Sequence, residues 1–162
     1  MLTSGPITQR YYVLDWRRKW AHDILRGIQM KHAPPKALLE FLQAYDPAVR
    51  DLALKVRSVV LDEMAPCHEN IYDAYSAVAL GYGPTDRLRD GVCHVAVYSG
   101  HVNIGFNRGT AMHDPAGILH GSGKWIRHIT IKTSADLAQQ PIQQYLRRAR
   151  EYSVTLQPWP IG

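Results

Sequence analysis

Two short runs of alternating residues, 92–98 and 101–107, constrain this chain more than any other feature. Successive strand side chains point to opposite faces, so a period of two marks a ribbon with one buried side and one open side. Ser99-Gly100 between the runs suits a two-residue hairpin turn. That turn sets Tyr98 opposite His101, Val97 opposite Val102, Val95 opposite Ile104 and His94 opposite Gly105. Cys93, Val95, Val97, Val102, Ile104 and Phe106 then share an apolar face. His94, Ala96, Tyr98, His101, Asn103 and Asn107 share a polar one. A slip of one residue would bury the histidines and expose the aliphatics, which pins the register.

The flanking segments supply what must cover the apolar face. From Pro35 the chain reads as a helix carrying Leu38, Leu39, Phe41 and Leu42, closed at Asp46-Pro47. Asp46 as N-cap with Pro47 in the first helical position opens a second helix. Val49, Leu52, Ala53, Val56, Val60 and Met64 keep three-and-four spacing along it, with Arg50, Lys55, Arg57 and Asp62 placed to face water. Residues 71–80 read as one strand and 81–91 as a long loop. A further strand over 125–132 sets Ile129 and Ile131 against His128, Thr130 and Lys132. Ser134-Ala-Asp reads as a turn, and Pro141 begins a last helix with Ile142, Tyr145, Leu146 and Ala149 inward. The order predicts an α+β fold: an antiparallel four- to five-stranded meander sheet with helices packed on one face.

Charge divides the chain differently. Residues 1–36 hold seven bases and two acids, whereas 37–162 hold twelve of each. The basic character therefore belongs to an N-terminal arm, residues 1–34, and the main domain, 35–155, is not expected to bind nucleic acid. An extended tail, 156–162, follows. Within the arm, Trp16, Trp20, Ile24 and Ile28 recur every four residues beside Arg17, Arg18 and Lys19, a pattern for a helix. His32-Ala-Pro-Pro separates arm from domain. No apolar run approaches the ~20 residues of a membrane helix. Two cysteines without a C-x-x-C pair, and a start lacking a basic-then-apolar leader, point to the cytoplasm.

Candidate chemistry is sparse. Six of the eight histidines fall between residues 68 and 128, and imidazole is a common transition-metal ligand. His94, His101 and His128 are the candidate metal ligands, provided that the strand bearing His128 neighbours the hairpin. Tyr98, Lys124 and Arg127 are candidate ligand contacts, the two bases for an anion. His113-Asp114-Pro115 reads as a turn. Gly121-Ser122-Gly123-Lys124 is not a phosphate loop: Gly117 lies one residue too far upstream, Trp125 replaces the magnesium-binding hydroxyl, and a strand follows instead of a helix. Cys93 falls on the core face, and Cys67-His68-Glu69 are neighbours in sequence without a nucleophile–base geometry. No catalytic constellation emerges, and the chain is expected not to be an enzyme.

Several stretches resemble one family. The helix Val49–Met64, Pro66-x-x-Glu69, and Phe106-x-x-Gly109-x-x-x-x-Asp114-Pro115-x-Gly117-x-Leu119-x-Gly121-Ser122-Gly123-Lys124-x-x-Arg127-His128-Ile129 are similar to the YdhG-like domain, over residues 36–152. That bacterial family of unknown function is often grouped with frataxin-like iron chaperones. The resemblance implies a small cytosolic α+β domain handling iron or another transition metal. The expected function is a non-enzymatic binding domain for a metal ion or small ligand. The alternative is an interaction protein whose basic arm contacts nucleic acid, a membrane surface or a protein partner.

Overall fold

The structure, a computed structural model, describes residues 12–14, 32–74 and 76–156. Six strands form one antiparallel sheet in chain order: β1 (Tyr12–Leu14), β2 (His68–Ala74), β3 (Ala77–Gly83), β4 (Cys93–Val97), β5 (Val102–Phe106) and β6 (Arg127–Ile131). Helices α1 (Lys36–Leu42) and α2 (Pro47–Met64) precede β2, and α3 (Ser134–Gln139) and α4 (Ile142–Leu156) follow β6. The α+β meander expected from the sequence is present, with one strand more than the four or five anticipated. That strand, β1, comes from the arm and pairs with β2. The proposed arm helix otherwise lies outside the described residues, as does the tail beyond residue 156.

The β4–β5 register is the one the alternation dictates, with Val95 opposite Ile104 and Val97 opposite Val102. All six residues of the apolar face are fully buried. They meet Val56, Val60 and Met64 of α2 and Ile142, Tyr145 and Leu146 of α4 in one core. Each such side chain contributes about 1.5–3 kcal/mol through burial. Asp46 caps α2 by accepting the Ala48 N–H at 2.8 Å, so the helix starts where the sequence says.

Three local readings are corrected. Residues 71–80 are not one strand: β2 runs from His68 to Ala74 and folds back as β3, Ala74 pairing with Ala77. Tyr75 and Ser76 join them in sequence, and of the two only Ser76 is a turn residue, a weak signal without a glycine, proline or asparagine beside it. Ser134 opens a short helix, because Thr133 and Asp136 form a reciprocal capping box. Arg57 does not face water. Its Nε and Nη2 donate to Glu69 Oε1 and Oε2 at 2.8 and 2.9 Å, both residues being buried. Tyr82 donates to Glu69 Oε1 at 3.0 Å, and Arg57 Nη1 donates to the His32 carbonyl at 2.7 Å. The network ties the segment before α1 to α2 and β2.

A candidate ligand site on the outer face of the sheet

Among the described residues, helices α2 and α4 pack on one face of the sheet, and a 3₁₀ turn and loops lie over the other. On that outer face the register aligns Asn70, Gly81, His94, Gly105 and His128 in a single row across β2 to β6. A bridge to His120 extends the row past His128. The two glycines leave gaps that a side chain would otherwise fill, and the gaps are used differently.

The gap over Gly105 holds the His94 imidazole. A Cβ placed on Gly105 would collide with His94 Cε1 and Nε2. His94 Nδ1 lies 3.0 Å from Asn107 Oδ1, and Asn107 Nδ2 donates to the Gly91 carbonyl at 2.8 Å. A carbonyl can only accept, so the amide is oriented with its oxygen toward the histidine. His94 therefore carries its proton on Nδ1, and Nε2 presents a lone pair over β5. Burial pushes the His94 pKa below its ordinary value, against the smaller upward pull of the Asn107 bond. His128 is also held low, first by burial and then by the neighbouring imidazoles His120, His101 and His94. Both rings are neutral at physiological pH.

The gap over Gly81 stays open. A short 3₁₀ turn, Leu88–Asp90, brings Leu88 onto the outer face. It is held by Val92 N–H donating to the Tyr82 carbonyl at 2.8 Å and by Thr85 Oγ1 donating to Asp90 Oδ2 at 2.6 Å. The result is a small cleft of about 50 Å³, partly open to solvent, lined by Asn70, Tyr72, Gly81, Arg87, Leu88 and His94 among others. Asn70 is 3% exposed, and its Oδ1 is buried without a hydrogen-bond partner among the described residues, as are His68 Nδ1 and Gln140 Oε1 away from the cleft. An unpaired buried acceptor costs about 1–3 kcal/mol, a cost that the fold carries at Asn70.

The residues singled out from sequence are distributed over this face, and not all meet. His94 lines the cleft. His128 shares its row across Gly105. His101 does not join them: it sits at the hairpin turn, stacked on Tyr98 with ring centroids 4.8 Å apart, four residues or about 13 Å of strand from Gly105. His120, not His101, is the third imidazole of the row, with its ring centroid 6.4 Å from that of His128. Lys124 lies over the Trp125 ring at 5.1 Å. Arg127 donates to the carbonyls of Gly123 and Ile126 at 2.6 and 2.7 Å, closing its own loop. Neither base lines the cleft.

The histidine row offers an imidazole donor set without a carboxylate. Iron handled as a hard cation prefers oxygen ligands, so this set does not fit it. Among the described residues no group of three or more His, Cys, Asp or Glu side chains is arranged to hold a metal ion. The cysteines are inert as nucleophiles. Burial, then the Glu69 carboxylate, pushes the Cys67 thiol up to about 12, and burial drives that of Cys93 up as well.

Loop 109–124 is a structural strap. Asp114 accepts the N–H groups of Ile118 and Leu119 at 3.1 Å each and the Tyr145 hydroxyl. Burial acts to raise the Asp114 carboxyl, but these donors together with the Gly117 N–H hold it below the usual range. Gly121, at φ 119°, lets the chain turn into the His120–His128 bridge.

The sequence does not single out Asn70, Tyr72, Arg87 or Leu88, because the β2–β3 hairpin looks like one strand and a loop. One signal was available: Gly81 and Gly83 alternate with the buried Leu80 and Tyr82, marking a glycine-floored strand face. No family model matches the chain, and neither curated proteins nor solved structures yield a match. Among the described residues, no helix is long and apolar enough to cross a membrane.

Proposed function

We propose that this chain is a non-enzymatic, cytoplasmic binding domain that takes a small polar ligand on the outer face of its sheet, in the cleft over Gly81. The carrying observation is the cleft itself, in which Asn70, Tyr72, Leu88 and His94 stand around the bare backbone of Gly81. A sheet face that only meets water needs no such recess between side chains. Kinship with YdhG-like domains belongs to the same proposal and rests on the Asp114-Pro115 to Ile129 motif.

A metal reading draws support from the free Nε2 of His94 in line with His128 and His120, and it favours zinc, copper or nickel over iron. Contact of the arm with a protein, membrane surface or nucleic acid is the alternative, and its basic stripe lies outside the described residues. Fragment titration of the ¹⁵N-labelled chain tests the main reading. Binding is expected to shift the amides of Gly81, Leu88 and Asn107. Shifts confined to Ser99–His101 or to 121–126 would remove the cleft from consideration. Zinc titration is expected to leave Gly81 unmoved, whatever it does at His128.

A further inference from the structure

The loop between Gly121 and Arg127 carries the most exposed large apolar side chains among the described residues. Trp125 is 56% and its neighbour Ile126 47% exposed, against 42% for Leu39 and 37% for Leu88. Single exposed apolar residues need no explanation, but a tryptophan and an isoleucine side by side form a patch. The backbone beneath the pair is fixed from both sides. Arg127 Nη1 donates to the carbonyls of Gly123 and Ile126 at 2.6 and 2.7 Å, and the Thr110 N–H donates to the Trp125 carbonyl at 3.1 Å. The display of the pair is built into the fold.

Its surroundings are basic. Residues 107–127 hold Arg108, Lys124 and Arg127 against one acid, Asp114. That carboxylate is taken up by the Ile118 and Leu119 N–H groups and the Tyr145 hydroxyl. Lys124 Nζ lies 5.1 Å from the centre of the Trp125 ring. Arg108 is brought beside the loop by Gly109, where a Cβ would come within 2.6 Å of the Arg127 backbone nitrogen. Among the described residues no carboxylate pairs with any of these three bases.

We infer that this loop is a docking surface for an anionic bilayer: Trp125 and Ile126 enter the headgroup region, and Arg108 and Lys124 meet lipid phosphates. Tryptophan favours the membrane–water interface because its ring is apolar and its indole N–H polar. Basic residues beside an anionic surface add an attraction that salt screens. Two side chains fall well short of the ~800 Å² that each partner buries in a stable protein interface. A nucleic acid would stack on the indole but offers an exposed isoleucine nothing. The loop lines no part of the cleft over Gly81, and occupancy of the one is independent of the other.

Sedimentation of the full chain with vesicles tests the docking, using phosphatidylcholine alone and equal parts phosphatidylcholine and phosphatidylglycerol. Binding is expected to the mixed vesicles only and to weaken with added salt. It is expected to fall about tenfold or more in Trp125→Ser/Ile126→Ser. Arg108→Gln/Lys124→Gln is expected to lower it by about the same factor and to flatten the salt dependence. All four side chains are exposed, so both variants are expected to melt with the parent. Independently of any variant, spin-labelled lipid in bicelles of the mixed composition is expected to broaden the Gly123–Ile126 amides of the ¹⁵N-labelled parent first. Undiminished binding by Trp125→Ser/Ile126→Ser, or broadening centred elsewhere, assigns the contact to another surface and overturns the inference. Equal binding to the two vesicle types, binding to neither, or tighter capture of a single-stranded oligonucleotide that the same variant loses overturns it as well.

Discussion

The imidazole of His94 occupies the place where Gly105 lacks a side chain, and it does so with its proton fixed on Nδ1 by Asn107. This relationship ties a glycine on β5 to the protonation state of a histidine on β4. It also makes the outer face sensitive to a single methyl group.

Gly105→Ala places a Cβ against Cε1 and Nε2 of the ring, which must swing away and give up Asn107. Overpacking of this kind costs about 1–3 kcal/mol. Urea denaturation is expected to show that loss, and NMR titration is expected to show the His94 pKa rising toward its ordinary value as the ring gains solvent. A variant as stable as the parent, with its titration unmoved, would mean that the ring does not lie over Gly105.

The pH dependence of stability follows from the same burial. His94 and His128 titrate below the ordinary value of 6.5 in the folded chain. The unfolded chain therefore takes up protons first as pH falls. The stability these neutral rings contribute is complete above about pH 6.5 and is lost as pH falls through the folded pKa values. The urea midpoint is expected to drop on acidification from about pH 7.5 to about pH 5.5, with a shallower slope in His94→Gln. A flat profile in the parent contradicts the assignment.

The fold was legible where a period was clean. Val95 to Ile104 and Val49 to Met64 obey one rule each, alternation and three-to-four spacing, and both segments fold as read. The β2–β3 hairpin is hidden, because a lone Ser76 is a weak turn signal and the apolar residues run on through it. Arg57 was misread for a related reason. Period alone assigns a charged residue to solvent, and only the three-dimensional approach of Glu69 and Tyr82 makes its burial tolerable. Of the site, His94 was visible in advance. Asn70, Tyr72 and Leu88 converge through pairings that no local pattern encodes.

The Arg57–Glu69 pair sits in the core, with Tyr82 and the His32 carbonyl completing it. Arg57→Met strands a buried carboxylate and is expected to cost about 3–5 kcal/mol. Arg57→Met combined with Glu69→Leu is expected to recover about half of that loss, since the uncompensated charge is gone. Thermal or urea melts measure both. A double variant worse than the single would show that the pair is worth more than its desolvation.

Tyr45 joins two strands. Its hydroxyl donates to the Val97 carbonyl at 3.0 Å and accepts the Val78 N–H at 3.1 Å. Tyr45→Phe keeps the ring and unpairs both backbone groups, with an expected loss of about 1–2 kcal/mol. Hydrogen exchange is expected to accelerate first at Val78. Unaltered protection there would indicate that water replaces the hydroxyl.

Gly81→Ala tests the outer-face cleft most directly. The added methyl meets Tyr72 and Leu88 only at ordinary contact distance, so the fold is expected to survive within about 0.5 kcal/mol. The space over Gly81 is then occupied. Titration of a set of small polar fragments into the two ¹⁵N-labelled proteins is expected to shift the Leu88 and Asn107 amides of the parent and to leave those of the variant unmoved. Equal shifts in the two, with melting curves superimposed, would show that whatever this domain binds does not rest on Gly81.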